Sequence, residues 1–355
     1  MNLKALKYLP VFTAVVAVAV SFIYTGWWTY TALIYTFGII PLMDMLMPAP
    51  EKNMTAMEEE LALQDPMYDW LIYLMVPTQY LFLGWFLFAV SEPTLSVFEM
   101  LGRITAMGVL CGSLGINVAH ELGHRSKKIE QTLSKALLLT SLYMHFFIEH
   151  NRGHHKQVAT PNDPASARYG EILYFFWIRS TVMGWLSAWK LEAKKLKKNK
   201  KAFFSVHNEM LRFQILQLTL LGLIYWGFGW MTMFAFIGAA MGGFLQLETV
   251  NYIEHYGLQR RQKESGHYEK VLPIHSWNSN HLLGRLLLFE LTRHSDHHFK
   301  ASRKYQVLRH FEDAPQMPTG YPGMMVLSMF PPLWFWVMHR HIAKTQEKQG
   351  IALAA

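Results

Sequence analysis

The chain reads as an all-α integral membrane protein: six transmembrane helices with a cytoplasmic helical cap carrying a histidine-rich dimetal site. Three observations predict this. Of 355 residues, 52% are hydrophobic and 16% charged, whereas a soluble domain carries nearer a quarter charged; the mean hydropathy is +0.11. Six apolar runs approach the roughly 20 residues that cross a hydrocarbon core as helix. Nine of the seventeen histidines fall in four tight groups, each just after or beyond a long apolar segment.

The expected spans are residues 8–26, 28–47, 69–90, 96–119, 212–229 and 231–250. They pair through short connections at Thr25-Gly26, Ser91-Glu92-Pro93-Thr94 and Gly227-Phe228-Gly229, none of which holds a Lys or Arg. Residues 121–212 hold 16 Lys and Arg and residues 251–355 another 13, so 29 of the 33 lie in one large loop region and the C-terminal region, on one side. The positive-inside rule makes that side the cytoplasm, and Glu58-Glu59-Glu60 does not oppose it, because acidic residues weigh little in orientation. Both termini are then cytoplasmic. The cap is residues 120–211 and 251–355, and residues 1–355 form a single membrane-embedded domain. The first apolar run leads straight into the second, which favours an uncleaved anchor over a signal peptide. The end, Ile351 to Ala355, has no obvious closing element.

Two further apolar stretches, 132–148 and 171–189, are interrupted by Lys135, His145 and Arg179, and fit helices on or dipping into the interface. Tyr321 to Met338, with Pro331-Pro332, reads the same way. The seven lysines from Lys190 to Lys201 read as a solvated or lipid-facing surface. No nucleic-acid motif and no internal repeat is present.

The histidine groups are His120-Glu-Leu-Gly-His124, His150-Asn-Arg-Gly-His154-His155, Tyr252-Ile-Glu-His255 and His294-Ser-Asp-His297-His298. Residues three or four apart share a helix face, so each multi-His group can aim two or three imidazoles at one point. Nine rings exceed the needs of one ion and suit two. His145, His207, His267, His310, His339 and His341 stand alone and read as structural. Imidazole accepts Zn, Cu, Fe or Ni, so the metal stays open on composition. The single cysteine, Cys111, excludes a disulfide framework and a thiolate-bound zinc or iron–sulfur site in this chain.

His120-Glu121-Leu-Gly-His124 is also the HExxH string of zinc proteases, with Glu121 as base. That reading uses one further ligand and leaves both His-His doublets without purpose. A metal transporter would place polar ligands at mid-membrane along a pathway, whereas these histidines gather at one face.

The HELGH, EHNRGHH and RHSDHH strings, with Asn251-Tyr-Ile-Glu-His-Tyr-Gly-Leu258, resemble the signature set of the integral-membrane alkane 1-monooxygenases, within the wider membrane fatty-acid desaturase and hydroxylase superfamily. The resemblance runs over roughly residues 28–312. The three boxes alone are shared with desaturases, where the second box is usually HxxHH; one extra residue here, with the NYIEHYGL segment, favours hydroxylation over an acyl-chain desaturase or hydroxylase.

The resemblance implies two non-haem irons held by His120, His124, His150, His154, His155, His255, His294, His297 and His298, with no catalytic residue separate from these ligands. It implies conversion of a medium-chain n-alkane to the 1-alkanol with O2 in a bacterial inner membrane. His281 is an alternative ligand or a supporting histidine. Ligating histidines need partners for their second nitrogen, and Glu121, Glu149, Asp163, Glu254, Asn278 and Asp296 are the nearest candidates in sequence. An alkane offers nothing polar to grip, so a narrow apolar tunnel must bring its end to the metals; Leu114 is expected to line it near His120. Gly112 and Gly115 permit close helix contact, and Pro77 a kink. Monooxygenation needs two external electrons, and the chain has neither a cysteine ligand set nor a GxGxxG segment. The resemblance names a rubredoxin fed by an NAD(P)H-dependent reductase, a carrier that a basic cap would suit.

Overall fold

The computed structural model describes residues 3–348; Ile351–Ala355 lie outside the described residues. Among these, every regular element is helical, and the β-type pairing consists of two isolated bridges, Gln262 to Tyr268 and Asn278 to Gln316. Four helices are long and apolar enough to cross a membrane: Gly26–Leu46, Met67–Val90, Val97–Gly123 and Glu209–His255.

The last of these is 47 residues long, about 70 Å at 1.5 Å per residue, more than twice the hydrocarbon thickness. It is two helices. They meet at Gly229, whose φ of 83° and ψ of 174° break the helix, a conformation that glycine adopts without a Cβ clash. The expected connection at Gly227–Gly229 is therefore a break within one apolar element. The first expected span, 8–26, is shorter than its apolar run: the α-helix is Val11–Ile23, 13 residues, preceded by a 3-10 turn at Leu3–Tyr8. Met67–Val90 stays a single helical element through Pro77. Val97–Gly123 starts at a capping box, with Ser96 accepting from the Glu99 N–H and Glu99 returning to the Ser96 N–H, and it contains a π-turn at Cys111–Ile116. The stretches expected at the interface are helical too, over Lys128–Leu139, Leu173–Lys198, Tyr321–Ser328 and Pro331–Lys348.

By its contacts the chain divides into two units. The first is Met1–Gly38, Gln64–Gly153 and Met183–Leu247; the second is Ile39–Leu63, His154–Val182 and Glu248–Ala355. In the first unit, apolar helices approach closely at glycines. A Cβ on Gly108 would meet Gly242, and one on Gly112 would lie 2.8 Å from Gln246. Gln246 Nε2 donates to the Gly108 carbonyl at 2.9 Å, and Gln79 Nε2 donates to Thr140 Oγ1 at 3.1 Å. Such bonds tie helices together where no water competes. At Gly243 an added Cβ would lie 2.5 Å from the Cys111 Cβ. Gly243→Leu is therefore expected to cost about 1–3 kcal/mol by overpacking, read as a lower thermal-inactivation midpoint in detergent. An unchanged midpoint would show that this crossing is loose.

In the second unit, the segment before the third histidine box is pinned. Asp44 accepts from the Leu283 N–H at 2.9 Å and the Gly284 N–H at 3.3 Å. Phe289 and Glu290 both take left-handed backbone, at φ 50° and 57°. That conformation costs about 1–3 kcal/mol per non-glycine residue and persists where the surroundings over-determine it. Here Arg285 Nε donates to buried Glu290 at 2.6 Å, and the Glu290 N–H donates to the Arg285 carbonyl at 2.7 Å. The Arg293 N–H then bonds the Glu290 carbonyl at 2.9 Å, which sets the start of the helix His294–Phe299.

Candidate metal centre

Each histidine box lies on helical backbone that presents its rings together. His120 belongs to the helix Asn117–Gly123 and His124 caps its end, one turn apart on the same face. His150 to His154 forms a π-turn, continued by the helix His155–Gln157. The wider turn accommodates the extra residue that separates His150 from the doublet; π-turns are rare and frequent at functional sites. His294, His297 and His298 share one face of His294–Phe299.

In the first unit, ring nitrogens of His120, His124 and His150 lie within 4.8 Å of one another. His124 Nε2 and His150 Nε2 are 3.0 Å apart, and Phe146 stacks on the His150 ring at 4.6 Å. In the second unit, His154, His255, His294 and His298, all buried, bring one ring nitrogen each within 4.8 Å of the others. His154 Nε2 faces His298 Nε2 at 3.2 Å, and His294 Nε2 faces His255 Nε2 at 3.3 Å. His297 Nε2 faces His155 Nε2 at 3.1 Å.

These distances test whether a metal fits. Two nitrogens each about 2.0–2.1 Å from an ion, at angles between octahedral and tetrahedral, lie about 2.8–3.4 Å apart. The facing nitrogens match adjacent corners of such a coordination sphere. Burial, followed by repulsion from the His294, His155, His154 and His255 rings, holds His298 well below the ordinary imidazole range. It is neutral, with a lone pair to give. Several buried imidazoles converging on one point could hold a metal ion, and imidazole is an intermediate ligand that suits transition metals.

The supporting residues fall in different places. Burial alone would raise the Asp163 carboxyl, but the His154 ring and hydrogen bonds from His154 and Ser166 hold it below the usual range. His154 Nδ1–H donates to Asp163 Oδ2 at 2.8 Å, which leaves Nε2 of that ring as the ligand atom. Glu254, buried, has Oε2 3.1 Å from His294 Nε2, and its Oε1 accepts from the Tyr321 hydroxyl at 2.8 Å. Asp296 braces the third box from outside, accepting from the Arg309 N–H at 2.7 Å and from Arg303 at 2.6 Å. Asn278 accepts from Ser295 at 3.0 Å. Glu121 accepts from Arg125 Nε at 2.8 Å, an arginine one turn on that also reaches Asp69 at 3.0 Å. Glu149 packs against Gly153, where a Cβ would collide with its carboxylate. His281 stands apart from the ring groups, with Nδ1 3.1 Å from Ser279 Oγ. Leu114 is buried within the π-turn Cys111–Ile116, six residues before His120.

Sequence reasoning missed Tyr321 and Arg125. The Arg125 pairing was visible as an i, i+4 Glu-to-Arg spacing. Tyr321, 67 residues from Glu254, left no local signal.

A family model described as fatty acid desaturase matches residues 95–328. Alkane 1-monooxygenase 1 of Pseudomonas aeruginosa is 42% identical over 317 residues, which is 88% of this chain and 82% of that protein. Alkane 1-monooxygenase 1 of Alcanivorax borkumensis is 42% identical over 314 residues, 88% of this chain and 77% of its own length. The hydroxylase component of a xylene/toluene monooxygenase from Pseudomonas putida is 29% identical over 343 residues, 94% of this chain and 87% of its own.

Proposed function

The chain belongs to the fatty acid desaturase family and, within it, to the alkane 1-monooxygenases, and from that premise we propose that it hydroxylates the terminal methyl of medium-chain n-alkanes at two non-haem irons. The observation that carries the reading is the convergence of buried imidazoles at metal-coordination spacing, in a chain with four helices apolar enough to span a bilayer. It is an integral membrane protein. We assign one iron to His120, His124 and His150 and the other to His154, His255, His294 and His298, with His155 and His297 completing the ligand set. The six-span topology, with cap and termini in the cytoplasm of a bacterial inner membrane and residues 1–355 acting as one catalytic domain, rests on the placement of basic residues.

The reaction balances as alkane, O2, two electrons and two protons giving 1-alkanol and water. When bound, the iron pair supplies the activation of O2 that no side chain provides. The protein's own work is burial and positioning. Removing a methylene from water is worth about 0.8 kcal/mol, so a decane-sized chain gains on the order of 8 kcal/mol. One methylene discriminates only about 10- to 200-fold in a hydrophobic pocket, so terminal selectivity is a matter of shape, and Leu114 is assigned to the tunnel wall nearest His120. Asp163 sets the tautomer of His154. Electrons come from a rubredoxin-type carrier and its NAD(P)H-dependent reductase, since the chain holds one cysteine and no cluster site of its own.

The deciding experiment is anaerobic metal analysis of the purified full chain, then reduction in the presence of octane and O2 with gas chromatography of products. Two irons per chain and 1-octanol are expected. A single zinc, or an unsaturated or internally hydroxylated product, overturns the reading.

A further inference from the structure

The helix Leu173–Lys198 carries two rows along its length. One row, Phe176, Ser180, Gly184, Ala188, Glu192 and Leu196, is buried throughout. The other, Phe175, Ile178, Val182, Leu186, Lys190, Lys194 and Lys197, steps by three or four residues and is exposed throughout, so it forms one continuous outward face. Its chemistry changes halfway. Four large apolar side chains, with Phe175 68% and Ile178 67% exposed, give way to three lysines. Exposed Lys198, Lys200 and Lys201 extend the basic end. Lys195 turns inward, to Glu192 at 3.0 Å and Glu209 at 2.9 Å. The chain after the basic end is apolar again, with Phe204 84% and Val206 78% exposed.

A face passing from hydrocarbon-like to cationic along one axis suits neither water nor a bilayer core alone. Over the 12 residues from Phe175 to Leu186 the apolar half rises about 16 Å from first to last Cα, enough to reach from the headgroup layer into the acyl region when tilted. We propose that this face is a lipid-binding surface: its Phe175–Leu186 half enters the acyl region obliquely, and the Lys190–Lys201 end binds the phosphates of anionic phospholipids. Charge complementarity selects this occupant, since clustered lysines beside an apolar face attract acidic headgroups. This assignment does not depend on the reaction catalysed.

The test uses the full chain in nanodiscs of phosphatidylcholine, with and without phosphatidylglycerol. Nitroxides are placed one at a time by Ile178→Cys, Val182→Cys and Lys194→Cys; Cys111 is buried and stays unlabelled. Labels at 178 and 182 should collide with O2 and the label at 194 with a soluble nickel chelate. Chelate access at all three positions marks a solvated face, and O2 access at all three a fully inserted helix; either overturns the proposal. In the second arm, spin-labelled phosphatidylglycerol should be enriched around the protein, with Lys194→Gln lowering that enrichment up to about fivefold at unchanged metal content. An unchanged enrichment, or complete displacement of the lipid by inorganic phosphate, overturns the headgroup assignment.

Discussion

Replacing His298 by alanine is expected to remove one of the two proposed irons and to lower alkane hydroxylation at least about 100-fold. Loss of residues that merely orient a metal ligand costs 10–100-fold, and His298 is itself placed among the donors. Its Nε2 faces His154 Nε2 at 3.2 Å, and its ring packs edge-on against His294 at 4.4 Å. Without it, His154, His255 and His294 remain, so this buried group loses one of its four donors and holds its ion more weakly. His145 supplies the contrast. It is also buried, and burial drives it down to about 3, so it too is a neutral imidazole, but it belongs to neither ring group. His145→Ala should therefore retain both irons, with only a packing cost against Tyr143, whose ring lies 4.3 Å away. Metal analysis of the two variants, purified side by side, separates a ligand from a buried histidine. A His298→Ala protein that keeps two irons would remove the tetrad from the catalytic centre.

The legibility of this molecule follows the range of the interactions involved. The boxes could be read because one helical turn brings i and i+4 together, and that geometry holds at His120 and His124 and at His294 and His298. The apolar runs could be read because lipid demands an uninterrupted stretch, although Val11–Ile23 is shorter than its run. Gly229 could be read as a break from composition, but its left-handed backbone inside one long apolar element depends on how the two helices continue across it. The supporting residues were harder. Asp163 lies nine residues from His154 and was reachable as a neighbour. Tyr321 reaches Glu254, and Asp44 reaches Leu283 and Gly284 across more than 230 residues; no periodicity encodes such pairings. The π-turn at His150–His154 was foreshadowed only by one additional residue in the box, and backbone hydrogen bonding, not side-chain pattern, decides where that residue goes.

Asp163 is expected to be the most sensitive position outside the nine histidines. Its carboxylate is buried, accepts from His154 Nδ1–H at 2.8 Å, from Ser166 Oγ at 2.5 Å and, through Oδ1, from the Ala165 N–H at 3.2 Å. The Ser166 and Ala165 bonds fix the carboxylate, and the fixed carboxylate fixes the ring. Asp163→Ala removes the acceptor that commits the His154 proton to Nδ1. The ring can then rotate or present a protonated Nε2, so metal release to a chelator should speed by about 10–100-fold. Asp163→Asn keeps an acceptor oxygen and the shape but loses the charge that raises the ring's basicity, and should lie between wild type and alanine. The readout is the rate of iron loss in anaerobic chelator, followed together with the thermal midpoint. A positioning role predicts graded iron loss from wild type through asparagine to alanine, with a smaller and ungraded change in midpoint. If both variants fall equally in midpoint while the folded fraction holds iron as tightly as wild type, Asp163 serves the loop at residues 159–166 and the orientation of His154 is set by other contacts.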